Sequence, residues 1–251
     1  NPATISGGDS TRHFRVFGEL HLENIVLAYG FSGNNGGAIL IQAEMGNAAS
    51  ARLLRVAILD CEAHLNGGGV SVEGKNATLI LEDGVSLERN VAKTKNGGAI
   101  YITNGGKTEI TSQAGAPPTR VKGQNNIAEG AGGCIAIDMA GSELIIGGRG
   151  VSIDLNHNTA TAGGGIAVTD ALGVTIEKGA YVSFTQNIAS GMGGAFFLQG
   201  QGTRLMVQGG ANIIFTKNEM QQAGFGGALA AFVGASVAIT SGAVVSFIEN
   251  V

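Results

Sequence analysis

The sequence predicts an all-β protein: a right-handed, three-sided parallel β-helix of about eight coils, with about 31 residues in each. Three observations carry this. A pair of glycines recurs at a near-constant step, a second short word built around an asparagine recurs with it, and the residues between the words alternate in hydrophobicity with a period of two. A fixed period of that length marks a solenoid, in which each repeat buries its apolar face only against its neighbours.

The glycine word reads GGAI at Gly36, GGGV at Gly67, GGAI at Gly97, GGCI at Gly132, GGGI at Gly163, GGAF at Gly193 and GGAL at Gly226. The steps are 31, 30, 35, 31, 30 and 33 residues. The second word aligns Gly30, Cys61, Asn90, Asn126, Asn156, Asn187, Asn218 and Asn250 in one row. Three residues ahead of these lie Leu27, Ile58, Leu87, Gly123, Ile153, Phe184, Phe215 and Phe247. FSGN at Phe31–Asn34 ends too close to Gly36 and is off register. The one long step holds AGAPPTR, so 112–122 reads as a loop insertion. The chain is then a single β-helix domain over 1–251, with an N-terminal coil over 1–35 and repeated coils over 36–251.

After each glycine pair come alternating apolar residues such as Ile100 and Ile102 or Phe196 and Leu198, the signature of a strand. A middle segment follows, with Leu79 and Leu81 or Leu205 and Val207, and a third ends in pairs such as Val182 and Phe184. EDG, EKG, QGG and TSG turns separate the second from the third. Three short strands per repeat make one coil, and no segment has helical periodicity. Coils paired at about 4.8 Å stack like residues in rows. Phe184, Phe215 and Phe247 are thus expected to stack inside, stabilising by about 25 cal/mol per Å² buried. The asparagine row is expected at a bend, its amides bonding one another and the backbone left unpaired there. The glycines are expected where φ is positive or backbones approach too closely for a Cβ.

Composition limits the function classes. With 43 glycines, only 3 prolines and no G-X-Y period, the chain is neither collagen nor a disordered linker. A net charge of −4 gives no basic footprint for nucleic acid. No apolar run approaches the roughly 18 residues that span a bilayer, and NPATISGGDSTRHF lacks the layout of a signal peptide, as expected of a mature or excised piece. Cys61 and Cys134 fall on different coils and are expected as buried free thiols.

A carbohydrate-active enzyme needs clustered carboxylates on the outer face. The outward row after the glycine pair reads Gln42, Glu73, Thr103, Asp138, Thr169, Gln199 and Phe232, with its two acids two coils apart and no Arg or Lys between them. His13, His21, His64 and His157 occupy unrelated positions; His64 near Cys61 and Glu62 is the one faint metal hint, outweighed by a reading as turn residues. No P-loop, calcium nonapeptide or GxSxG elbow is present. No catalytic residue, metal or cofactor is therefore expected.

Charge is unevenly spread: 23 of the charged residues lie in 1–130 and 11 in 131–251. The second half places Ile145, Met206, Phe197 and Phe232 outward beside Ala136, Ala167 and Ala230. This wall is either a contact surface, since monomers seldom expose large apolar patches, or a neutral small-residue surface. Phe197, Phe232, Met206 and Ile145 are the candidate partner contacts. The ending VSFIENV lacks a polar cap, an open β-edge that either continues into further chain or docks on a partner.

The GGA[I/L/V/F] and FxxN words resemble those of the polymorphic outer-membrane proteins, known best from chlamydiae. The resemblance covers essentially the whole chain through GGAI at Gly36 and Gly97, GGAF at Gly193, GGAL at Gly226, and FTQN, FTKN and FIEN ending at Asn187, Asn218 and Asn250. It departs at Gly30, Cys61 and Gly123, and residues 1–251 are expected to hold the passenger repeats without the C-terminal barrel. The resemblance implies a β-helical autotransporter passenger displayed at the cell surface or outer membrane as an adhesin, binding a protein or glycan of host cell or matrix. The alternative is a scaffold or linker subunit that contacts neighbouring subunits of a larger intracellular or organellar assembly.

Overall fold

The computed structural model describes residues 2–44, 46–112, 118–148, 150–222 and 224–251. Every regular element among them is a strand, and all strand pairs are parallel between successive coils. The chain is a β-solenoid of about 7 turns with ~31 residues per turn, preceded by a shorter turn in which Ala3 pairs with Ile25. Each coil runs through three long sheets in order. The first sheet, of eight strands, begins after the glycine pair, as in Ile100–Thr103. The second, also of eight, holds strands such as Ala77–Leu81. The third, of nine, holds strands such as Tyr181–Thr185. A narrower seven-stranded ribbon, with strands such as Val91–Ala92, links the third sheet back to the first.

The inward residues of the three long sheets form one continuous core. The expected aromatic stack is present: Phe184 and Phe215 lie 4.9 Å apart with planes 10° from parallel, and Phe215 and Phe247 lie 5.1 Å apart at 5°. Phe196 packs edge-on against Phe184 at 5.8 Å. Gly165 makes room for this stack, because a Cβ there would lie 2.8 Å from the Phe184 ring. Lower in the same row Gly123 has no side chain, and the Cys134 thiol fills the space beside it.

The asparagine ladder closes the corner between the third sheet and the ribbon. Asn90, Asn126, Asn158, Asn187 and Asn218 are fully buried. Each donates its backbone N–H and its Nδ2–H to Oδ1 of the next asparagine, at 2.8–3.1 Å through to Asn250. Each Nδ2 also donates to a carbonyl on the preceding coil, as Asn187 does to Leu155 and Asn250 to Phe215. Cys61 holds the ladder position of its coil, donating its N–H to Asn90 Oδ1 at 3.1 Å.

The structure corrects one member of this row. Asn156 is outside the ladder; it sits in the third-sheet strand Ser152–Asn156, with its Nδ2 donating to Asp154. Asn158 takes the position, and Leu155, paired with Phe184, takes the slot assigned to Ile153. The backbone shows why. The residue before every ladder position is left-handed, Arg89, Asn125, His157, Gln186, Lys217 and Glu249 having φ of 51–54°. The repeated word is therefore Leu155-Asn156-His157-Asn158. The ribbon strand that follows varies in length between coils, so counting back from the glycine pair misplaces the bend.

The glycine pair has two distinct roles. The first glycine has φ of 59–74° at Gly36, Gly67, Gly97, Gly132, Gly163, Gly193 and Gly226, a conformation that penalises a side chain. The second leaves no room for one: a Cβ on Gly98 would lie 2.7 Å from the Ile127 backbone, and one on Gly164 would lie 2.5 Å from Ile188 O. Residues 14–35 already complete a coil without a glycine pair, since Phe14–Val16 and Glu19–Glu23 pair with the next coil. The repeated architecture thus begins before Gly36. Of the expected loop 112–122, residues 113–117 lie outside the described residues, and Arg120–Gln124 is already a third-sheet strand.

Two outcomes follow. Asn187→Ala orphans the Asn158 N–H and the Leu155 carbonyl, at about 1–3 kcal/mol for each buried group, whereas Asn156→Ala stays within about 0.5 kcal/mol; urea unfolding midpoints read the difference. Cys61 and Cys134 are 1% and 0% exposed, and burial pushes both thiols up to about 12. Both therefore resist iodoacetamide at pH 7.5 in the native protein and react in denaturant, as counted by mass spectrometry.

Candidate functional site

The outer face of the first sheet is covered by a second layer built from the residue preceding each glycine pair. In the first three coils this residue is asparagine. Asn66 donates its N–H and Nδ2–H to Asn35 Oδ1, Asn96 donates its N–H to Asn66 Oδ1, and Ala131 donates its N–H to Asn96 Oδ1. Arg12 closes the N-terminal side of the row, its guanidinium donating to the Gly36 and Asn35 carbonyls at 2.7 Å. From the fourth coil the same position is apolar: Ala131, Ala162, Met192 and Phe225 are bridged in sequence. Ala131, Ala162 and Met192 pack with the outward residues Ala167, Phe197 and Ala230.

This layer changes the status of the apolar wall. Phe197 is 4% exposed and sits inside a small outer core with Ala162, Ala167 and Ala230. It is a packing residue, not a free contact. Phe232 is half-buried, 6.1 Å from Phe197 and 5.5 Å edge-on from Phe225. Phe225 is 66% exposed and the adjoining Val233 70%. Phe225 and Phe232 thus form an aromatic corner in the last coil of the sequence, with Phe232 resting on Phe197. The sequence reading missed Phe225. Its signal was the letter before GG, which changes from Asn through Ala to Met and Phe along the chain.

Met206 and Ile145 do not join this corner. Both are half-buried on the second sheet, where Thr175 separates them in one row. The acids of the first-sheet row fall in register as expected, Glu73 opposite Thr103 and Asp138 opposite Thr169. Each is held by its own donors: Glu73 by Ser71 Oγ and Asn35 Nδ2 at 2.8 Å, Asp138 by the Tyr101 hydroxyl at 3.2 Å. Burial pushes the Tyr101 phenol up to about 12, so it stays a proton donor to Asp138 at neutral pH. Near the metal hint, Cys61 points into the ladder and Glu62 pairs with Lys93 at 3.0 Å. Among the described residues no group of three or more His, Cys, Asp or Glu could hold a metal ion, and no helix is long and apolar enough to cross a membrane.

Comparison with known proteins finds no matching family model, no matching curated protein and no matching solved structure.

The two phenylalanines separate by experiment. Phe197→Ala empties part of the outer core and costs about 3–5 kcal/mol, whereas Phe225→Ala changes stability by no more than about 0.5 kcal/mol; thermal or urea unfolding measures both.

Proposed function

We propose that this chain is a non-catalytic binding module, displayed at a cell surface as part of an adhesin passenger. The observation that carries the reading is the aromatic corner. Phe225 and Phe232 are held by an edge-on contact and seated on a buried Phe197, so they present apolar area without a large ordering cost on association. Hot spots at protein contacts favour such preorganised aromatics. The ladder supports the same reading. It fixes each coil through buried groups and leaves outward side chains free to differ from coil to coil. The GGA[I/L/V/F] and FxxN words supply the adhesin and cell-surface elements of the reading.

The test is attachment of cells or matrix protein to surfaces coated with the purified chain. Phe225→Asp combined with Phe232→Asp lowers attachment by about tenfold or more, in line with loss of a hot spot, while the far-ultraviolet spectrum stays that of the parent. Attachment equal to the parent, or none by the parent, overturns the proposal.

A further inference from the structure

The outer face of the third sheet carries a feature independent of the aromatic corner. Ser152, Asp154, Ser183 and Thr185 are short, and they lie between the longer Arg120 and Lys122 on one side and Tyr181 and Ile214 on the other. The result is an open cleft of about 380 Å³, within the range of about 300–1,000 Å³ common for ligand sites. The register fixes its layout. Arg120, Ser152 and Tyr181 follow one another in one row, and Lys122, Asp154 and Ser183 in the next. At about 4.8 Å per strand, the cations and the tyrosine face each other across about 10 Å.

The cleft brings charges of both signs together. Asp154 is already occupied, accepting from Ser183 Oγ at 2.7 Å and from Asn156 Nδ2 at 3.1 Å. Glu88, on the preceding coil, is also engaged. Burial alone would raise its pKa, but hydrogen bonds from Ser86 and Gln124 and the charges of Arg89 and Lys122 hold it below the usual carboxylate value. Arg52, Arg55, Arg89, Lys93 and Lys107 all have carboxylate partners within 4.0 Å. Among the described residues Arg120 and Lys122, like Lys75, Lys95, Lys178 and Arg204, have none, and these two stand exposed on the same face of one strand. The two cations share this face with the Asp154 carboxylate, and Asp83 accepts from the Arg120 backbone N–H at 3.3 Å. Tyr181, 39% exposed, stands opposite with its ring available.

We infer that this cleft binds an acidic saccharide of the uronate type. A sugar carboxylate matches the guanidinium and ammonium groups of Arg120 and Lys122. The apolar face of a pyranose ring matches the Tyr181 ring. The sugar hydroxyls match the hydroxyls of Ser152, Ser183 and Thr185 and the remaining acceptor capacity of Asp154. The site lies on a different sheet from Phe225 and Phe232 and does not rest on their role.

Calorimetric titration of the intact chain with a hyaluronan tetrasaccharide tests this, with a neutral cello-oligosaccharide and a heparin tetrasaccharide alongside. The expected result is binding of hyaluronan that weakens as salt is raised, with no binding of the neutral sugar. Arg120→Gln with Lys122→Gln lowers affinity tenfold or more, Tyr181→Ala does likewise, Tyr181→Phe retains binding, and the Phe225→Asp, Phe232→Asp variant binds like the parent. The inference is overturned by no hyaluronan binding, by equal binding of the neutral sugar, by binding of heparin alone, or by cleft variants that bind like the parent.

Discussion

The structure depends on a hydrogen bond between side-chain amides in a place where water cannot enter. Each coil must bend where it passes between its three long sheets and its ribbon, and each bend interrupts the pairing that satisfies backbone groups. At the bend from the third sheet into the ribbon this chain uses asparagine, whose side chain is both acceptor and double donor. One Oδ1 takes two protons from the preceding coil, and the Nδ2 of the same residue serves the following asparagine and a carbonyl behind it. Buried polar groups are costly when partly satisfied and rigidifying when fully satisfied. The ladder belongs to the second kind. It also fixes which residue is left-handed at the bend, and so where the next strand begins.

Around this constant interior the outer surface changes character along the axis. The first three coils cover the first sheet with asparagines and acids held by named donors; the later coils cover it with alanine, methionine and phenylalanine. The fall in charge density along the sequence is the one-dimensional trace of that change. Much of the apolar wall is therefore a second, shallow core. Beyond it stand an aromatic corner in the last coil and, on another face, a polar cleft lined by Arg120, Lys122 and Asp154.

Fold class, the three long strands of each coil, the phenylalanine stack and the free thiols were legible in the sequence, because each rests on a period that survives substitution; the short ribbon strand that forms a fourth was not. The departures share a cause: a position's environment depends on the neighbouring coil, which a single chain order does not display. Asn156 and Asn158 both stand near a glycine pair, and only the left-handed His157 and the pairing of Leu155 with Phe184 separate them. Phe197 alternates outward as read, but outward is not exposed when Met192 and Ala162 lie over it. The coil over 14–35 opens without a glycine pair and carries Gly30 in place of the ladder asparagine, with the Gly30 N–H donating to the Cys61 thiol at 3.3 Å. Phe225 escaped because its row is defined by contact with the next coil and not by a shared residue type.

Hydrogen exchange of the asparagine side-chain amides, followed by nuclear magnetic resonance in the native protein, tests the ladder most directly. The account requires strong protection of the Nδ2 protons of Asn126, Asn158, Asn187 and Asn218, and rapid exchange at Asn156 on the outer face. Protection at Asn156 equal to that at Asn158, or fast exchange along the whole row, would contradict it.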